Sequence, residues 1–263
     1  MDDLPVTVVG GYLGSGKTTW VNARLREADA VRYAVMVNDF GDLNVDASLV
    51  AARSAQTVEL TNGCVCCSIA GDMAAAAETI AEQRHRLDWV LLEASGVADL
   101  SRLKQQVEHW PGFRFHDALT FADATRIRAL AKDKFVGAHV RTQLLEAEAV
   151  RLTRLDRIDA AEREAVEHWL ASLRATTEGA RAPPPRFTSD CIPGDRFVDR
   201  AALARWLDAQ PAGTQRIKGF VALRDETPTP LLVQWVRGEW ALTPWPRAVE
   251  AELRLVRIAV HGA

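Results

Sequence analysis

The run Gly11-Tyr12-Leu13-Gly14-Ser15-Gly16-Lys17-Thr18-Thr19 follows directly on the apolar stretch Val6–Gly10 and fits G-x-x-x-x-G-K-[ST] with its strand in front of it. That arrangement predicts a strand, a phosphate-cradling loop and then a helix. Gly11, Gly14 and Gly16 let the backbone wrap closely enough for successive N–H groups, that of Ser15 among them, to face phosphate oxygens. A helix beginning near Lys17 adds the positive end of its dipole. In such a loop Lys17 sits against the β- and γ-phosphates, the Thr18 hydroxyl ligates Mg²⁺, and Thr19 reaches the α-phosphate.

Downstream, short runs rich in Val and Leu alternate with helical patterns, the signature of a parallel sheet covered on both faces. Strands are expected at Val6–Val9, Tyr33–Asn38, Thr57–Leu60, Trp89–Leu92, Ala118–Ala122, Ala149–Leu152 and Arg186–Thr188. Helices are expected at 72–83, 100–108, 127–146 with a break, 160–174 and 200–208. The pattern changes after Gln210-Pro-Ala-Gly-Thr-Gln215, where strand-like runs and a turn at Arg237-Gly238-Glu239 predict a small antiparallel appendage. Its core is expected to hold Trp235, Trp240 and Trp245. The fold class is therefore α/β: a P-loop NTPase, mostly parallel sheet with helices on both faces in residues 1–210, and a small C-terminal antiparallel β-rich domain in 211–263.

Composition narrows the partners. A net charge of −3 over 263 residues leaves no basic field for nucleic acid. No apolar run reaches membrane-spanning length, and Met1-Asp2-Asp3-Leu4-Pro5 lacks the basic start of a signal peptide, so no membrane partner and a cytoplasmic location are expected. In that compartment the four cysteines read as thiols or metal ligands rather than as a disulfide framework.

Three of the four crowd together in Gly63-Cys64-Val65-Cys66-Cys67, placed between an expected strand and a helix. Three thiols within four positions can converge on one soft or borderline metal if the chain turns back at Gly63, leaving a fourth position open. The alternative is a cluster of small buried apolar side chains, which free cysteines often form. The six histidines are scattered, and none is assigned to a metal.

Together these segments resemble the CobW-type metal-handling GTPases, relatives of HypB and UreG. The likeness rests on the phosphate loop, the Cys-x-Cys-Cys element, the run Val37-Asn38-Asp39-Phe40-Gly41-Asp42-Leu43-Asn44-Val45-Asp46 and the run Leu91-Leu92-Glu93-Ala94-Ser95-Gly96-Val97-Ala98-Asp99. The third is similar to the family's Asn-Glu-Phe-Gly-Glu switch segment with both glutamates replaced by aspartates; the last is similar to its Glu-x-x-Gly segment. The resemblance implies a slow GTPase, with Lys17, Thr18 and Glu93 as its catalytic set. It also implies a transition metal held by Cys64, Cys66 and Cys67, with Asp39 and Asp42 as added oxygen ligands. Zinc leads, with Co²⁺, Ni²⁺ and Cu⁺ as other candidates, and delivery goes to an unidentified client metalloprotein. Pairing of two copies across their nucleotide faces, a homodimer, is also compatible with the family.

Independently of the family, a carboxylate closing an apolar strand beside the phosphate-loop strand can hold Mg²⁺ at Glu93, and the Gly96 amide can meet a γ-phosphate oxygen. Thr153-Arg154-Leu155-Asp156 stands where the family carries Asn-Lys-x-Asp or Thr-Lys-x-Asp. Ionised Asp156 only accepts hydrogen bonds, so it matches the paired N1–H and N2–H₂ donors of guanine and points to GTP and GDP. Arg154 is expected to lay its stem along the base, and Thr153 in place of Asn to remove one polar contact. A second class of function stays open: a GTP-switched adaptor that selects a protein partner, with cysteines that are structural or redox-sensitive. A small-molecule kinase is disfavoured because no Arg-rich lid is evident.

Overall fold

The computed structural model describes residues 3–27, 31–37, 65–68, 73–176, 185–197, 199–223, 229–245 and 253–261. The chain divides into two compact units, the second beginning at Pro185.

The first unit is built around β1 (Leu4–Gly10), every residue of which is buried. Following it are α1 (Lys17–Arg26), β2 (Tyr33–Val37), β3 (Val65–Ser68), α2 (Met73–Glu82), β4 (Trp89–Glu93), α3 (Leu100–Glu108) and β5 (Phe113–Asp123). Then come α4 (Ile127–Ala131), α5 (Gly137–Glu146), β6 (Ala149–Thr153) and α6 (Ala160–Thr176). The strands form one six-stranded sheet in the order β3-β2-β4-β1-β5-β6. All of its pairings are parallel.

Apolar residues on both pleat faces explain the two layers, because neighbouring residues along a strand face opposite ways. Val8, Met36 and Leu92 share one core with Ile80 of α2 and with Leu103 and Val107 of α3. Val9, Val35 and Leu91 belong to the other core with Val21 of α1. Asp99 caps α3 by accepting a hydrogen bond from the Arg102 amide at 3.0 Å. The long helical pattern at 127–146 is broken, as its sequence suggests. Asp133 Oδ1 accepts from the amides of Phe135 and Val136, and a Cβ on Gly137 would meet the Ala131 carbonyl at 2.7 Å.

The second unit holds β7 (Phe187–Pro193), α7 (Arg200–Asp208), β8 (Thr214–Val221), β9 (Leu231–Val236), β10 (Glu239–Pro244) and β11 (Arg254–Val260). Its sheet runs β10-β9-β8-β11-β7 with antiparallel pairs throughout. Residues 186–188, expected in the parallel sheet, instead start β7, which pairs with β11. Leu203 and Leu207 of α7 are buried with Ile217, Val233 and Leu255 of the same sheet. The expected boundary at 210/211 therefore moves back to 184/185, because β7 and α7 find their partners in the second core.

Arg237 and Gly238 both take positive φ, 52° and 94°, closing the β9–β10 hairpin with a two-residue turn whose twist matches its strands. Trp235 is buried in the core. Trp240 corrects the expectation: it is 37% exposed on the edge strand, its indole N–H donating to Asp208 at 2.9 Å. Trp245 packs tilted against Phe220. No helix among the described residues is long and apolar enough to cross a membrane.

Gly219 in β8 has φ of 152°, and a Cβ there would overlap the Arg254 carbonyl of β11. Gly219→Ala is expected to cost more than about 1 kcal/mol. Hydrogen exchange is predicted to quicken at β8 amides and stay unchanged in β1; equal protection of β8 in the variant contradicts this account.

Candidate functional site

At the carboxyl end of β1 the chain turns through Gly11, Gly14 and Gly16, with φ of 125°, 78° and 97°. These are left-handed conformations that favour glycine. A Cβ on Gly11 would overlap the Phe121 carbonyl of β5 and approach Ser15 Oγ at 2.7 Å, so the position also lacks room for a side chain. Gly16 caps α1, and Lys17 opens it. The buried Lys17 ammonium donates to the Gly11 carbonyl at 2.7 Å, drawing it back over the loop. Ser15 Oγ is buried and has no hydrogen-bond partner among the described residues. Thr19 is exposed on the first turn of α1.

Parallel pairing of β1 with β4 sets Val9 opposite Glu93. Glu93 is 3% exposed, and Thr18 donates its hydroxyl proton to Glu93 Oε1 at 2.6 Å. A hydroxyl and a carboxylate at the mouth of the loop are the hard oxygen donors that suit Mg²⁺, so the residues present fit that ion. Just beyond, Gly96 lies against the loop: a Cβ there would stand 2.7 Å from the Leu13 amide nitrogen. The phosphate loop, Thr18, Glu93 and Gly96 are thus brought together.

The segment after β6 is tied to the same loop. Thr153 donates to the Ser15 carbonyl at 3.0 Å, so the residue expected to lose a polar contact makes one with the phosphate loop. Arg154 adopts φ of 55°, pairs with Asp123 and donates to the Gly14 carbonyl at 3.3 Å. Its guanidinium is committed to the loop and to the end of β5. Asp156 is exposed in a short 3-10 turn, Leu155–Arg157. Asp123 was not singled out in the sequence, although Asp123-Ala124-Thr125 is an Asx-turn signal: Oδ1 accepts from the Thr125 amide at 3.1 Å and hydroxyl at 2.7 Å.

The thiol element is described in part. Asp39, Asp42 and Cys64, with the expected strand at 57–60, lie outside the described residues. Cys66 and Cys67 do not follow a strand but stand within β3, at the sheet edge, in register with Val35 and Met36. Among the described residues no group of three or more His, Cys, Asp or Glu is arranged to hold a metal.

Beneath the phosphate loop lies His139 of α5, 3% exposed and edge-on to Tyr12 at 6.4 Å. Burial pushes its imidazole down from 6.5 to about 4, against the opposing field of Asp99.

A left-handed Gly-rich loop between a buried parallel strand and a helix, with an acid on the adjacent strand, defines a phosphate-binding-loop nucleotide domain. Residues 5–180 match the family model described as CobW/HypB/UreG, nucleotide-binding domain, and residues 187–262 match the cobalamin synthesis protein cobW C-terminal domain. The chain belongs to the CobW/HypB/UreG family. It is 33% identical over 155 residues to the zinc chaperone CobW of Sinorhizobium sp, covering 55% of this chain and 43% of that protein. It is 34% identical over 111 residues to the zinc-regulated GTPase metalloprotein activator 1 of Dictyostelium discoideum, covering 37% of this chain and 23% of the relative. The matched stretches span less than half the length of these relatives. Among solved structures, the Zn(II)-bound YjiA GTPase from E. coli is similar over 99% of this chain and 95% of that one, at 21% identity and a TM-score of 0.49.

Because the folded pKa of His139 lies below the unfolded value, the unfolded chain binds the extra proton between pH 6.5 and about 4, and stability falls as pH falls through that window. The loss amounts to about 3 kcal/mol. His139→Leu is expected to flatten the pH dependence of the urea midpoint there; an unchanged slope contradicts it.

Proposed function

We propose that this protein is a GTP-binding and GTP-hydrolysing metallochaperone that takes up a transition metal, zinc first, and passes it to a client protein. The observation that carries the nucleotide half is the Thr18–Glu93 hydrogen bond of 2.6 Å at the mouth of the Gly11–Gly16 loop. The metal half is supported by the crowding of Cys64, Cys66 and Cys67, and by relatives named zinc chaperone and zinc-regulated GTPase metalloprotein activator.

In this reading Gly11, Gly14, Ser15 and Gly16 offer backbone N–H groups to the phosphates. Lys17 leaves the Gly11 carbonyl to meet the β- and γ-phosphates, a stronger, charge-assisted contact. Thr18 and Glu93 hold Mg²⁺, which when bound offsets negative charge on the phosphates. Glu93, buried and fixed by the strand pairing, keeps Thr18 oriented. Gly96 reports the γ-phosphate. Asp156 selects guanine through its N1–H and N2–H₂, while Thr153 and Arg154 brace the loop that carries it. Cys64, Cys66 and Cys67 take the metal as cargo, joined by Asp39 and Asp42, and the 39–46 segment alters that site as the nucleotide turns over.

One observation favours the GTP-switched adaptor as a second reading: Cys66 and Cys67 stand in a paired strand rather than a free loop. Calorimetric titration of metal-free protein with zinc, in the GTP-analogue and GDP states, separates the two. A metallochaperone requires zinc affinity that differs at least several-fold between states and vanishes in Cys66→Ala. Equal affinity in both states, or no zinc signal beside tight GTP binding, overturns the metallochaperone reading in favour of the adaptor.

A further inference from the structure

Three polar residues of α5 line up at helical spacing, His139, Gln143 and Glu146, and each faces the chain that follows β4. Glu146 Oε2 accepts from the Ser101 amide at 3.2 Å in the first turn of α3. His139 lies beside Tyr12 of the phosphate loop and in the field of Asp99. Gln143, between them and 2% exposed, donates from Nε2 to the Ala98 carbonyl at 2.9 Å and the Gly96 carbonyl at 3.4 Å. Two carbonyl acceptors fix which end of the amide is nitrogen. Gln143 is itself held, since Thr120 of β5 donates its hydroxyl to the Gln143 backbone carbonyl at 3.4 Å.

Gly96 is therefore gripped from two sides. One side is the Leu13 backbone of the phosphate loop, close enough that a Cβ would collide with it, and the other is the Gln143 amide. Gln143 Oε1 is buried and accepts no hydrogen bond among the described residues. A buried acceptor without a donor raises the free energy of the arrangement that contains it.

We propose that Gln143 is a positioning residue of the nucleotide site: it anchors the Gly96–Ala98 segment to α5 and so sets how well Gly96 meets the γ-phosphate. The assignment rests on the reading of Gly96 as the γ-phosphate contact. Its effect on nucleotide affinity falls on the triphosphate state alone, because a diphosphate leaves Gly96 without a ligand.

The test compares wild type, Gln143→Met, which keeps length and burial but removes the donors, and Leu144→Ala, which hollows the same helix at a residue 1% exposed. Affinities for GDP and for a non-hydrolysable GTP analogue are measured with kcat and KM for GTP. Gln143→Met is expected to lower kcat and analogue affinity by about tenfold each while leaving GDP affinity within twofold, as the loss of one buried and one part-buried hydrogen bond implies. Leu144→Ala is expected to move both nucleotide affinities together. A Gln143→Met profile that matches Leu144→Ala, or matches wild type, overturns the proposal. Hydrogen exchange of residues 96–98 in the nucleotide-free protein provides a readout independent of turnover. If wild type hydrolyses no GTP, the functional reading fails, and the anchoring role still stands or falls on faster exchange in Gln143→Met than in Leu144→Ala.

Discussion

The interaction on which the site depends is the parallel pairing of β1 with β4. It sets Glu93 opposite Val9, two residues before the phosphate loop opens at Gly11. A register shift by one residue would reverse the face that each β4 side chain presents, sending Glu93 to the wrong side of the sheet and Leu92 out of its core. The apolar burial of Val90, Leu91 and Leu92 on both faces therefore fixes a polar contact, Thr18 to Glu93, that has little stability of its own to contribute. Burial makes the carboxylate useful, because a charge held among apolar neighbours interacts strongly with a cation or a hydroxyl brought to it.

Around that pair the phosphate loop and the segment packed on it are held by three side chains, two from the end of β6 and one from α5. Thr153 holds the Ser15 carbonyl, Arg154 spans Gly14 and Asp123, and Gln143 holds the segment next to Leu13. The exchanges that distinguish this chain from the Asn-Lys-x-Asp pattern are thus coupled: a hydroxyl in place of an amide bonds the loop directly, and a guanidinium in place of an ammonium has donors enough to reach two acceptors. The brace needs a left-handed residue at Arg154, which is compatible with its position between a strand end and a 3-10 turn.

Much of the first unit was legible because its information is local. Glycine spacing specifies the loop at Gly11–Gly16, and two-sided apolar runs specify buried parallel strands. What escaped was information held by partners distant in sequence. Residues 186–188 are expected in the parallel sheet, and β11, some 70 residues on, takes them into the antiparallel one. Trp240 alternates like a core residue, but edge position leaves its face open and sends its N–H to Asp208. Val65-Cys66-Cys67-Ser68 reads as part of a ligand-bearing loop after a strand, and pairing with β2 instead makes it a strand. The Asp123–Arg154 pair needed a tertiary contact between two strand ends that no single window contains.

The most direct test of the central claim is the Mg²⁺ dependence of GTP-analogue affinity, measured by fluorescence titration in wild type and Glu93→Gln. The account predicts that Mg²⁺ tightens binding at least about tenfold in wild type and has little effect in the variant, whose Mg²⁺-free affinity is retained. The same Mg²⁺ response in both proteins would contradict it, and would move the metal-binding role away from the Thr18–Glu93 pair.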